Sequence, residues 1–155
     1  MYTQVRNLVL IIMSIINEIK TDPPDPCHDV DYYVIADGTR SSSYASDHYF
    51  SDQSGHSYTS PDWHGPNWYR MVSPAGSRLP ETLVESRHCN SFEVGWLNGT
   101  HPTMLDETVI RTVCFNNDGH ICWRKILLEI RHCGNYYLYL LPDTPGTTPA
   151  RYCAE

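Results

Sequence analysis

A chain of 155 residues, 41% hydrophobic and 19% charged, holds enough apolar material for one domain and not comfortably for two. Its net charge of -7 argues against a nucleic-acid backbone or an anionic membrane surface as the main partner, because both attract a positive face. Abundant Tyr and Trp beside scarce Lys suit a β-rich, loop-rich extracellular module.

The first element in chain order is an apolar run at 8–16, preceded by the single positive charge of Arg6. Nine residues are too few to cross a bilayer as a helix, which takes about 20. They fit the apolar centre of a secretory signal peptide; a buried strand or the first turns of a core helix is the alternative. Residues 1–21 are therefore expected to be a signal peptide and 22–155 a single domain. Ser14 and Thr21 are the small residues near a cleavage point, and the polar stretch KTDPPDP (20–26) opens the mature chain.

Short strand-like pieces follow. Residues 32–35 (YYVI) form the first, stopped by Asp37-Gly38. Residues 41–66 are polar, rich in Ser, Asp, His and Tyr, and read as a long loop with room for a short hairpin. Residues 68–72 and 92–97 are the next strands, with Gly95 marking a bulge or a close backbone approach. Residues 109–115 alternate apolar and polar, as a half-buried strand does. Asn117-Asp118-Gly119 supplies hairpin-turn chemistry. Residues 122–130 read as either strand or helix, 136–141 as an aromatic strand, and 142–149 as a Pro/Gly/Thr loop. No internal repeat is present. The expected fold is mostly β with long loops and room for one short helix.

Six cysteines, Cys27, Cys89, Cys114, Cys122, Cys133 and Cys153, lie beyond the apolar run. An even count in a small secreted domain reads as a disulfide framework, with 15 pairings open. Asn98-Gly99-Thr100 is an N-glycosylation triplet inside WLNGTHP (96–102). A sugar needs an exposed acceptor, and Gly99 suits a turn. The triplet, the apolar run and the cysteine count agree on a secretory life. The alternative is an ordinary turn asparagine.

The eight histidines raise the question of metal. His88-Cys89 and His132-Cys133 are adjacent pairs, which rarely reach one ion together, and no Cys-x-x-Cys or His-x-x-x-His spacing occurs. His28, His48, His56 and His64 sit in or beside the polar loop and read as surface side chains. Neither a metal nor another cofactor is expected. Gly-x-Ser-x-Gly and a phosphate-cradling glycine loop are both missing, so no catalytic residue is assigned and the chain is expected not to be an enzyme. Trp63, Trp68, Tyr69, Trp96 and 136–139 carry the aromatic rings that would line a sugar-binding surface. At alternating strand positions such rings are more often core.

One set of motifs carries a resemblance. Asp25-Pro26-Cys27, Trp68-Tyr69-Arg70, GSRLPET (76–82), WLNGTHP, Val113-Cys114, 136–139 and Arg151-Tyr152-Cys153 fall in an order and spacing similar to the uromodulin-type cysteine-rich domain. This eight- or ten-cysteine module is found in uromodulin and the major pancreatic zymogen-granule membrane glycoprotein. The resemblance runs from about Asp25 to the C-terminus, and WLNGTHP and the final Tyr152-Cys153 are its most specific parts. It implies the pairing Cys27–Cys133, Cys89–Cys153 and Cys114–Cys122. Four cysteines of the larger family pattern are absent. They would fall near Asp62 and at Leu83, Ile121 and Thr148, and in the family they form two bonded pairs, the position near Asp62 with that at Thr148 and the position at Leu83 with that at Ile121, so no thiol is orphaned. Apolar packing of Leu83 and Ile121 is expected to offset part of that loss.

The resemblance also implies a non-enzymatic secreted glycoprotein module, glycosylated at Asn98, that presents surface and glycan for adhesion, matrix assembly or microbial capture. Its partners would be extracellular glycoproteins or microbial adhesins, with no nucleic acid and no membrane span. The second acceptor triplet of the family, near the aromatic strand, is replaced by Leu140-Leu141-Pro142. A soluble lectin-like protein using exposed aromatics is the alternative.

Overall fold

The computed structural model describes residues 25–45 and 48–155. The apolar run and the cleavage region lie outside them. Seven strands form a single sheet: β1 Tyr33–Ile35, β2 Asn67–Met71, β3 Glu93–Asn98, β4 Thr108–Asn117, β5 His120–His132, β6 Tyr137–Leu141 and β7 Ala150–Tyr152. Their order is β1-β2-β6-β5-β4-β3-β7. The edge strands pair in parallel, β1 on β2 and β7 on β3, and all other pairs are antiparallel.

Residues 122–130, readable from sequence as strand or helix, are strand: they lie within β5, between β4 and β6. Leu128 and Ile130 point inward and are buried, while Trp123, Lys125 and Leu127 point outward and are exposed. That period of two is the strand signature. Among the described residues, the room left for a short helix is filled only by a three-residue 3-10 turn, Gly38–Arg40, where Asp37 accepts the Thr39 N–H. The polar loop 41–66 holds an isolated bridge, Ser51 to Thr59, in place of a hairpin ladder.

Asn117 pairs with His120, which makes Asp118-Gly119 a two-residue hairpin turn. Both residues have positive φ, 38° and 87°, as a primed turn requires. The ladder shifts register beside this turn, between Phe115 and Asn117.

One face of the sheet carries the core. Ile35, Tyr69, Leu97, Phe115, Ile130 and Tyr139 lie on it and are inaccessible to solvent. The loops close over it with Trp63, Ala75 and Leu79; Trp63 stacks on Tyr69 at 4.9 Å with 5° between the rings. Trp63 and Tyr69 are therefore core side chains. The polar loop is held down by charge. Fully buried Arg40 pairs with fully buried Asp52 at 2.6 Å and reaches Asp62 through its Nε at 2.9 Å. Buried Arg151 pairs with Asp37 at 2.7 Å. Removing Arg40 strands the fully buried Asp52 without water and costs about 3–5 kcal/mol.

Three disulfides complete the frame. Cys27–Cys133 ties the N-terminal turn to the segment after β5, across 106 residues. Cys89–Cys153 lies in a second buried cluster with Val84 and Val94, on the opposite face of the sheet. Cys114–Cys122 staples β4 to β5 across eight residues.

Candidate functional site: the acceptor turn

Asn98 is the last residue of β3, opposite Thr112 of β4. Its neighbour Leu97 is buried in the core, so by strand alternation Asn98 projects from the other face, where it is exposed. Gly99 then takes φ = +147°, and a Cβ there would lie 3.3 Å from the Arg111 side chain. A side chain would be both strained and crowded at this position. Arg111 Nε donates to the Thr100 carbonyl at 2.9 Å and fixes the turn to β4.

Beyond the turn the chain dives inward at His101, which is only 4% exposed. Its backbone N–H donates to Glu81 Oε1 at 2.8 Å, and Nδ1 lies 2.6 Å from the same oxygen. Nε2 lies 2.8 Å from Tyr139 Oη, which accepts the Leu79 N–H at 3.2 Å. An ionised Glu81 only accepts, so Nδ1 carries a proton. A neutral imidazole then leaves Nε2 free to accept the Tyr139 hydroxyl, and each polar atom is paired. Desolvation lowers the His101 pKa despite the adjacent carboxylate. Hydrogen bonds from His101 lower that of Glu81. Both directions describe one state, an ionised Glu81 on a neutral His101. Glu81 belongs to GSRLPET and His101 to WLNGTHP, so the two motifs meet here. The contact joins residues 20 positions apart, so neither motif shows it alone.

The aromatic residues divide by depth. Tyr139 is buried, Trp68, Trp96 and Tyr137 are half-buried, and Trp63 and Tyr69 stack in the core. They do not form one exposed sugar platform. Among the described residues, no group of three or more His, Cys, Asp or Glu side chains is placed to hold a metal ion. No helix of the described residues is long and apolar enough to cross a membrane.

The positions at the absent family cysteines have different fates. Asp62 has joined the buried charge network through Arg40 and Arg151. Thr148 lies by Glu93, whose carboxyl pKa is raised by burial against the lowering effects of Arg124, Thr148 and Asn117. Leu83 and Ile121, expected to pack, are 44% and 63% exposed. The expectation of an apolar offset is corrected: side chains this exposed recover little transfer energy.

A single sheet with one buried face, long loops and three bridges defines a small disulfide-stapled β module. Residues 69–154 match the family described as the uromodulin-like domain, and the chain belongs to that family. It is 34% identical over 140 residues to the pancreatic secretory granule membrane major glycoprotein GP2 of Canis lupus familiaris, covering 90% of this chain and 25% of that protein. It is 33% identical over 132 residues to uromodulin of Rattus norvegicus, covering 84% of this chain and 18% of that protein. With the human pancreatic glycoprotein it shares 38% over 87 residues, 56% of this chain and 16% of that protein. The chain thus spans a quarter or less of the length of these relatives.

Proposed function

We propose that this chain is a secreted, non-enzymatic glycoprotein module that carries an N-glycan at Asn98 and presents surface and sugar for adhesion, matrix assembly or microbial capture. The observation that carries the reading is the acceptor turn. Asn98 stands exposed at a strand end, and the Arg111, Glu81, His101 and Tyr139 contacts hold the turn from behind. A mobile loop would present a sugar in no fixed direction, whereas this turn has a rigid base. The extracellular context agrees with the relatives, one of which is a secretory granule membrane glycoprotein.

The test is the intact mass of the protein secreted from eukaryotic cells, alkylated without reduction. The expected mass has no alkyl groups, and it carries a glycan that an amidase releases from Asn98. A bare, fully alkylated chain retained in the cytosol would sink the reading.

A second reading, recognition of sugars by exposed aromatics, is favoured by one feature. His48, Tyr49, Phe50, Tyr58 and Pro149 line an open, mainly apolar cleft of about 340 Å³. Saccharide-array binding that disappears in Tyr58→Ala would support it; an array with no signal above background would remove it.

A further inference from the structure

The sheet face opposite the core is closed at one end by the cluster around Cys89–Cys153. Its middle, on β4 and β5, is open among the described residues. Ile110 and Leu127 are 62% and 66% exposed there, among the most exposed large apolar side chains of the described residues. The register places both beside the acceptor. Asn98 is opposite Thr112, Thr112 is opposite Leu127, and Ile110 is the next residue of β4 on the same face. Leu127 is thus two strands from Asn98, roughly 10 Å at the usual spacing.

We infer that the first sugars of a glycan on Asn98 fold back across β4 and lie over Ile110 and Leu127, so that the covalently attached glycan covers this apolar strip. The inference rests on the occupancy proposed above. Three observations select this occupant over a second copy of the chain or a separate partner. The attachment atom is on the same face as the strip. The strip begins one strand away. Polar side chains border it, with Thr112 between Asn98 and Leu127 and Glu129 opposite Ile110. That mixture suits an N-acetylglucosamine ring, which offers an apolar C–H face together with hydroxyl and amide groups. Burial of aliphatic surface against the ring removes it from water, and the polar edges keep hydrogen-bonding partners. The inner sugars are then fixed and the outer branches project from a defined point, which deepens the presentation role proposed for the turn.

The experiment uses the protein secreted from eukaryotic cells in three forms: untreated, enzymatically deglycosylated, and as Thr100→Ala, which lacks the acceptor triplet but keeps the backbone carbonyl that Arg111 binds. Each is mixed with an apolar dye that fluoresces on exposed hydrophobic surface, after size-exclusion chromatography to fix its oligomeric state. Dye binding is expected to rise several-fold in both sugar-free forms. The rise is expected to vanish in Ile110→Thr/Leu127→Thr. Equal dye binding with and without sugar would overturn the inference, as would a rise that persists in the double variant. A glycosylated protein that dimerises through Ile110 and Leu127 would overturn it as well. Mass spectrometry of the untreated protein separates the two layers. A bare Asn98 defeats the occupancy reading itself, whereas an occupied Asn98 with unchanged dye binding defeats only the packing.

Discussion

His101 is the residue on which the acceptor turn depends. Its imidazole bridges a carboxylate at the surface and a phenol in the core, and its backbone N–H shares the carboxylate. Because burial lowers its pKa in the folded chain, the unfolded chain binds a proton first as pH falls below about 6.5. Stability is lost on acidification through that range. Glu81, lowered below its ordinary value, contributes stability that is present above about 4.5 and lost as pH falls further. His101→Gln keeps a donor for Glu81 and removes the titration. We expect urea midpoints between about pH 7 and pH 5 to fall less steeply in the variant than in the parent. At neutral pH the variant should be weaker by about 1–3 kcal/mol, since the flexible amide does not hold Glu81 and the buried Tyr139 hydroxyl in the fixed geometry of the ring. Identical pH slopes for the two proteins would show that His101 is not the titrating group.

At the scale of elements, the β4–β5 hairpin is the longest ladder of the sheet and also forms the floor of the open face. Its free end is set by chemistry legible in the sequence, Asp118-Gly119 in a primed turn. Its staple depends on something that was not legible. Near the turn β5 contributes more residues than β4: 115 pairs with 124, and 117 with 120. Cys122 takes φ = +56° inside this irregular stretch and bonds Cys114. Replacing both cysteines by Ala releases a loop of eight residues, a loss of about 2.5 kcal/mol on the chain-entropy model. The double variant should unfold at a lower denaturant midpoint, with amide exchange accelerated first around 114–124. Uniform acceleration across the sheet would instead mark the hairpin as part of the global folding unit.

For the whole molecule, the balance is between long-range staples and a one-sided core. Cys27–Cys133 closes 106 residues and is worth about 5 kcal/mol by the same reasoning. Leu83 and Ile121 stand exposed where the family resemblance puts a further bridge. Asn116 Nδ2 donates to the Val84 carbonyl at 2.9 Å, so the segment carrying Leu83 already lies against β4 near the hairpin end. Leu83→Cys/Ile121→Cys is expected to oxidise to a fourth disulfide and to raise stability by up to about 4 kcal/mol. Non-reducing peptide mapping and a melting curve read both results. Two free thiols in the oxidised protein would mean that this segment has moved from the family position.

Local chemistry alone determined much of this protein. Alternating side chains marked 109–115 as half-buried strand, aromatic and β-branched runs marked the segments of β2, β3 and β6, and Asp118-Gly119 marked the hairpin turn. These features depend on neighbours within a few residues, so one sequence contains them. The β-rich class, the resemblance and the acceptor triplet were legible for the same reason. Tertiary structure alone decided whatever depends on partners far along the chain. Residues 122–130 became strand because β4 and β6 claim both of their edges. Ala150–Tyr152 became a strand because β3 offers a parallel edge 57 residues earlier. Glu81 met His101, and Arg40 met Asp52 and Asp62, because the fold excludes water there and a buried charge or imidazole requires a partner. Leu83 and Ile121 were left in solvent because no element of the described residues covers them; hydrophobicity states a preference for burial, and only the packed chain decides whether a cover exists.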